Sequence, residues 1–227
     1  MAKKFYMVLD CETIADARVP FDVACMIVDR KGIVYDAYNF LVEEVMTDPT
    51  LRFILAKDRY SKGKAPYYLD NATIPCKPFA AIVADLNDLI AEYDNAVVVA
   101  YNAQFDFNVL NNYAKQLLGT PCFADGVIVW DLWHMALNTI CDSGNYVHWC
   151  IANNFLTEKG NISTSAESVF SYIFKDVNFE EAHLAMEDCD IERLILQTIF
   201  DRHQALTTHF CMPVNSRPVW QKRCKLH

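Results

Sequence analysis

Phe5-Tyr6-Met7-Val8-Leu9-Asp10-Cys11-Glu12-Thr13 begins as an unbroken apolar run and ends in two acids. Five consecutive apolar residues read as a central strand covered on both faces, not as a strand with one solvated side. Side chains alternate along a strand, so Asp10 and Glu12 leave the same face, their Cα atoms roughly 6–7 Å apart. Two carboxylates at the carboxyl end of a buried strand repel each other and are costly to desolvate unless a cation offsets their charge. A pair of solvated loop acids would have the same sequence, so the weight falls on what the rest of the chain adds.

A second acid stands in a similar place. Asn102-Ala103-Gln104-Phe105-Asp106-Phe107-Asn108-Val109-Leu110 follows the strand-like Ala96-Val97-Val98-Val99-Ala100. It opens a helix that runs to about Leu118 and is stopped by Gly119 and Pro121. Asp106, Leu110, Tyr113 and Leu117 share one stripe of that helix, which places Asp106 at the N-terminal end of the face that packs on a sheet. An acid there also suits the helix dipole without any further role.

The third occurrence is near the end. A long amphipathic helix is predicted from about His183 to Phe200, with Leu184, Ile191, Ile195 and Thr198 on one stripe and Asp188 within it. His183 precedes Asp188 by five residues, about 140° around a helix. The two meet at one point only if His183 lies on the loop or first turn and reaches in from outside.

Taken in order, these residues resemble the DEDDh 3′–5′ exonucleases, the DnaQ-like group of the ribonuclease H-like superfamily. The family's apolar strand followed by D-x-E-T is matched by Val8 to Thr13, its N-x-x-x-D by Asn102 to Asp106, and its H-x-x-x-x-D by His183 to Asp188. Thr164-Ser165-Ala166-Glu167-Ser168-Val169-Phe170 is similar to the family's helix before the last motif. The similarity spans about residues 4–203, and the chain looks like the small exonucleases of phages and bacteria.

The resemblance implies an α/β fold with a mixed five-stranded sheet and helices on both faces. It also implies metal-dependent release of 5′-mononucleotides from a 3′ end, with two Mg²⁺ or Mn²⁺ ions as cofactors. Asp10, Glu12, Asp106 and Asp188 would be the metal ligands, oxygen donors suited to hard cations. Asp10 would bridge both ions, Glu12 and Asp188 would hold the one nearer the attacking water, and Asp106 would act on the other. His183 would be the general base. Thr13 and Ile14 stand where the family contacts the terminal nucleotide, and Asn102 belongs to the second motif. Phe105 or Phe107 would pack against a base, although both equally suit a core. Single-stranded DNA is favoured over RNA as the substrate. An RNA-trimming enzyme and a proofreading or tethering subunit of a DNA polymerase share the same motifs, and some relatives pair as homodimers.

The remaining pattern suits one domain. Strands are predicted at Phe5–Asp10, Asp22–Asp29 and Ile33–Val42, with a turn at Arg30-Lys31-Gly32, and further strands near Ala96–Ala100 and Val127–Trp130. Helices are predicted near Phe79–Tyr93 and Asn102–Leu118, and over Leu132–Ile140 with Asp131 as N-cap. The exonuclease domain would cover residues 1–203, with a basic and aromatic insertion at about 46–78 and a basic tail at 204–227.

That insertion holds Arg52, Lys57, Arg59, Lys62 and Lys64, interleaved with Tyr60, Tyr67 and Tyr68. The tail adds Arg217, Lys222, Arg223 and Lys225 with Trp220, so nine of the chain's 20 Lys and Arg lie in two short stretches. Cations and stacking rings are what single-strand binding uses, but a solvated loop and a frayed tail have the same composition. The net charge of −9 argues against tight non-specific duplex binding. Nine cysteines contain no C-x-x-C pair, and Cys141, His148 and Cys150 lack a fourth ligand. No signal peptide precedes Phe5, and no apolar run approaches the roughly 20 residues of a membrane span. The expectation is a protein without a membrane partner in a reducing cytoplasm, a host's if phage-encoded, with free and mostly buried thiols.

Overall fold

A computed structural model describes residues 3–14, 18–57, 68 and 74–202. The first strand, β1 (Phe5–Ile14), lies inside a mixed sheet. On one side it pairs antiparallel with β2 (Val19–Asp29), which pairs antiparallel with β3 (Val34–Val42). On the other it pairs parallel with β5 (Val97–Ala100), and β5 pairs parallel with β6 (Val129–Asp131). The two-residue β4 (Cys76–Lys77) completes the order β4-β3-β2-β1-β5-β6. The sheet thus has six strands where five were expected; two residues are too few to show an alternation in sequence.

The strand boundaries also extend beyond the expected ones. β1 does not stop at Asp10: the ladder with β2 runs on to Ile14 opposite Val19, with a register shift between Glu12 and Thr13. A bulge at that point locally raises the twist and re-aims side chains, a device common beside functional sites.

Alternation along β1 divides the core. Tyr6 and Val8 face one apolar cluster, and Met7, Leu9 and Cys11 face the other. The second cluster is completed by helices α3 (Phe79–Glu92) and α4 (Ala103–Leu118). The first is completed by α5 (Leu132–Ala136, continued as a π-turn over Leu137–Cys141), α6 (Gly144–Ala152), α7 (Ala166–Phe174) and α8 (Ala185–Arg202). Helices therefore cover both faces, as expected. Between β3 and β4 lie α1 (Glu43–Thr47) and α2 (Pro49–Lys57).

α8, which carries Asp188, is fixed at its start and at mid-length to the antiparallel strands. At its start the Ala185 backbone N–H donates to Asp22 Oδ2 on β2 at 3.3 Å. Farther along, Arg193 Nη1 donates to the Gly32 carbonyl oxygen at 3.0 Å, in the β2–β3 turn. Gly32 takes φ +70°, and a Cβ there would lie 2.5 Å from Gln197 Oε1, so the predicted turn glycine serves both backbone and packing.

Among the described residues, no helix is long and apolar enough to cross a membrane. The seven described cysteines are free, and all but Cys76 are buried. Cys141 and Cys150 are buried whereas His148 is exposed. Of the insertion's basic residues, Arg52 and Lys57 lie on α2, exposed; Arg59, Lys62, Lys64, Tyr60 and Tyr67 lie outside the described residues, as does the tail. Tyr68 is described and corrects its reading as a stacking ring: it is buried in the core, edge-on to Phe21 at 4.9 Å.

Candidate active site

The carboxyl ends of β1 and β5, the start of α4 and the start of α8 converge on one cleft of about 390 Å³. Its lining includes Asp10, Glu12, Asn102, Phe105, His183 and Asp188 from the expected set. Glu12, His183 and Asp188 each offer a ligand atom, and these atoms lie within 4.8 Å of one another. No other group of His, Cys, Asp and Glu among the described residues comes together in that way.

Each of these side chains has a local reason for its place. β5 ends at Asn102, which takes φ +62° and ψ +48°, a left-handed conformation that asparagine tolerates better than most residues. That kink turns the chain into α4, and Asp106 falls in its first turn. The Asp106 carboxylate is 3% exposed. Its Oδ1 accepts the Cys11 backbone N–H at 3.1 Å and the Cys11 thiol at 3.3 Å. Cys11 packs in the core as expected, and in addition ties α4 to β1 between the two acids. Asp106 therefore comes in from the side of the sheet opposite to α8.

His183 lies on the loop two residues before α8, with φ +52° and its side chain 58% exposed. This is the approach from outside that the five-residue spacing requires. The loop is held from two directions: Glu181 Oε2 lies 3.7 Å from His183 Nδ1, and the Glu181 backbone N–H donates to Glu167 Oε2 at 3.1 Å. Glu167 lies in the first turn of α7, whose N-cap is Ser165.

Several lining residues were not singled out in the sequence. Tyr101 and Trp133 both bind Thr164, through its carbonyl oxygen at 2.6 Å and its hydroxyl at 3.1 Å. They form an aromatic wall fastened to the segment before α7. Asp131 caps α5 by accepting from Trp133 N and His134 N, in agreement with its reading as an N-cap. Glu192, one turn after Asp188, is a further carboxylate in the cleft wall. Its sequence signal was its spacing of four from Asp188, which sets both on one face.

Three expected site residues are not part of the cleft lining, the buried Asp106 described above and two expected nucleotide contacts. Ile14 is wholly buried among the core residues of the α3 and α4 face. Thr13, half-buried after the bulge, is not part of the lining. The two phenylalanines are placed differently. Phe107 stacks on Phe123 in the core at 5.0 Å, whereas Phe105 is 39% exposed at the cleft.

The acids share one electrostatic predicament. Burial pushes the Asp10 carboxyl well above the usual range, and the carboxylates of Asp106, Glu192, Asp188 and Glu12 push it further. Burial raises Asp106 to about 7, against the lowering effect of the Cys11 bonds. Glu192 is raised well above its ordinary value by burial and then by Asp106. So many acids at one buried point are poorly matched to the protein alone and well matched to divalent cations, which take six or more oxygen ligands. The donor set, carboxylate oxygens with one imidazole, fits Mg²⁺ or Mn²⁺ better than a thiophilic metal.

No protein-family model and no curated protein matches this chain. Solved structures do. E. coli exonuclease I in complex with a 5cy-dT13 oligonucleotide aligns at a TM-score of 0.61 and 15% identity, over 89% of this chain and 41% of that one. Exonuclease X in complex with 5′ overhanging duplex DNA aligns at 0.50 and 15% identity, over 91% and 97%. Cell-death related nuclease 4 aligns at 0.52 and 16%, over 88% and 64%. The chain spans about two fifths of the length of exonuclease I and nearly all of exonuclease X. Its fold is that of these exonucleases, the architecture that the three acidic motifs led us to expect.

Proposed function

We propose that this chain is a divalent-cation-dependent 3′–5′ exonuclease that releases 5′-mononucleotides from single-stranded nucleic acid, DNA in preference to RNA. The observation that carries the reading is the meeting of Glu12, His183 and Asp188 within 4.8 Å, beside Asp10, in one open cleft, with Asp106 bonded to Cys11 directly behind it. Two of the similar structures contain DNA, which supports that polymer.

Asp10, Glu12, Asp106 and Asp188 hold two Mg²⁺ or Mn²⁺ ions. When bound, the ions supply the Lewis acidity and the neutralising charge that in-line displacement at a phosphodiester requires. His183 takes the proton of the attacking water; an imidazole is largely neutral at pH 7 and able to accept it. Glu181, on the Nδ1 side, holds the ring so that Nε2 faces the reaction. Phe105 stacks on the terminal base, and Asn102 lines the same end. Both residues also line a second groove of about 430 Å³ with Arg18, Gln104, Asn108 and Asn112. This groove is the track for the strand behind the terminal nucleotide, its amides bonding phosphates and sugars without reading bases.

Digestion of 5′-labelled single-stranded DNA and RNA of matched sequence in Mg²⁺ tests the reading. A ladder that shortens from the 3′ end, faster on DNA and abolished by EDTA and by Asp10→Ala, is expected. Faster loss of RNA would make the chain a trimming exoribonuclease. No cleavage of either polymer by protein that still binds Mn²⁺ would favour a subunit that works only within a polymerase complex.

A further inference from the structure

We propose that Glu192 is a fifth carboxylate of the cation site, an oxygen donor one turn beyond Asp188 and outside the group formed by Glu12, His183 and Asp188. The inference rests on the proposed cation-dependent function and extends it to a residue outside the three motifs.

Glu192 is 3% exposed and yet lines the cleft. The Tyr101 backbone N–H stands against its carboxylate, while Oε2 is fully buried and has no hydrogen-bond partner among the described residues. No lysine or arginine forms an ion pair with it among the described residues. A buried carboxylate oxygen without a donor is expensive to keep. A structural role would be served as well by glutamine or by an apolar residue of similar size.

Position explains the expense. Asp188 and Glu192 are one turn apart on the buried face of α8, so both project from the helix toward the end of β1. Glu192 lines the cleft with Asp10 and Asp188, outside the group formed by Glu12, His183 and Asp188. The Tyr101 N–H fixes one side of the carboxylate and leaves the other for a cation or for its tightly held hydration water.

Calorimetric titration of Mn²⁺ without nucleic acid tests this, on the wild type, Glu192→Gln and Asp10→Asn. Gln keeps the shape and the Tyr101 contact but removes the charge. We expect Glu192→Gln to bind Mn²⁺ about 10–100-fold more weakly, the range seen when a group supporting a metal site is lost. We also expect the metal-free variant to melt above the metal-free wild type, because a buried acid has gone. Mn²⁺ affinity within twofold of the wild type would overturn the proposal and make Glu192 a neutral buried carboxyl. A wild type that binds no Mn²⁺ would overturn the underlying reading as well. Tight binding by the wild type and Glu192→Gln, with loss only in Asp10→Asn, would overturn the proposal alone.

Discussion

Asp22 Oδ2 on β2 accepts the Ala185 backbone N–H at 3.3 Å, across 163 positions of sequence. The helix that carries Asp188 is therefore capped from a neighbouring strand. Asp22 is also bonded by the Asn39 side-chain amide and faces Tyr68. One buried carboxylate thus fixes the start of α8 relative to the strands, and with it the point at which His183 meets Glu12.

This cap has a pH signature. Burial raises Asp22 from 3.8 to about 6, against the lowering effect of its three hydrogen-bond partners. The folded state holds the proton more tightly than the unfolded state, so this contribution is full at low pH and is lost as pH rises through about 6. A shift of that size corresponds to about 3 kcal/mol. In urea melts from pH 4 to 8 in EDTA, Asp22→Asn is expected to lose this share of the downward slope. Asp22→Ala loses the same slope and the cap as well, and is expected to lie about 1–2 kcal/mol below Asp22→Asn at all of these pH values. Parallel pH profiles for wild type and Asp22→Asn would contradict the assignment.

His183→Ala is expected to lower kcat by about 10²–10⁴-fold, the usual contribution of a general base. Glu181→Gln acts through the orientation of His183, so a smaller fall of about 10-fold is expected. In that variant KM should stay unchanged and the acid limb of the kcat profile should move. A profile with no change in its acid limb would leave Glu181 a role in folding the loop only.

Phe105 and Phe107 allow a paired test. Phe105→Ala is expected to raise KM for single-stranded DNA by about 10-fold, about 1–3 kcal/mol of stacking per base, with little change in stability. Phe107→Ala removes a ring stacked on Phe123 and is expected to cost about 3–5 kcal/mol of stability. Steady-state kinetics with thermal melts separate the two, and an unchanged KM in Phe105→Ala would remove the base contact.

The first and last elements of the site were legible in sequence because their acids interrupt patterns that are otherwise apolar. Asp10 follows five apolar residues, and Asp188 sits in a stripe with Leu184 and Ile191. Glu192 was less legible because Asp190 and Arg193 crowd the same helix and make any one charge look solvated. The Asp22 cap and the Cys11–Asp106 bonds are tertiary, joining residues whose local sequence carries no sign of the partner. The π-turn at Leu137–Cys141 had no marker either: its residues continue a helical pattern, and the expected helix over 132–140 is regular only to Ala136.

The insertion gives a fourth test. Reversal of Lys57, Arg59, Lys62 and Lys64 to Glu is expected to weaken single-strand binding and to flatten its dependence on salt, each lost phosphate contact removing about 0.7 from the log–log slope. Mn²⁺ binding should not change. Equal affinity for nucleic acid at low salt would show that these charges only solvate a loop.

The most direct test uses single-stranded DNA with distinct labels on its 5′ and 3′ ends, digested in Mg²⁺ by the wild type and by Asp188→Asn. The account requires the 3′ label to appear at once as free mononucleotide while the 5′ label passes through a ladder of shortening fragments, with neither change in Asp188→Asn. Release of the 5′ label first, internal cuts that free neither end as a mononucleotide, or undiminished digestion by Asp188→Asn would contradict it.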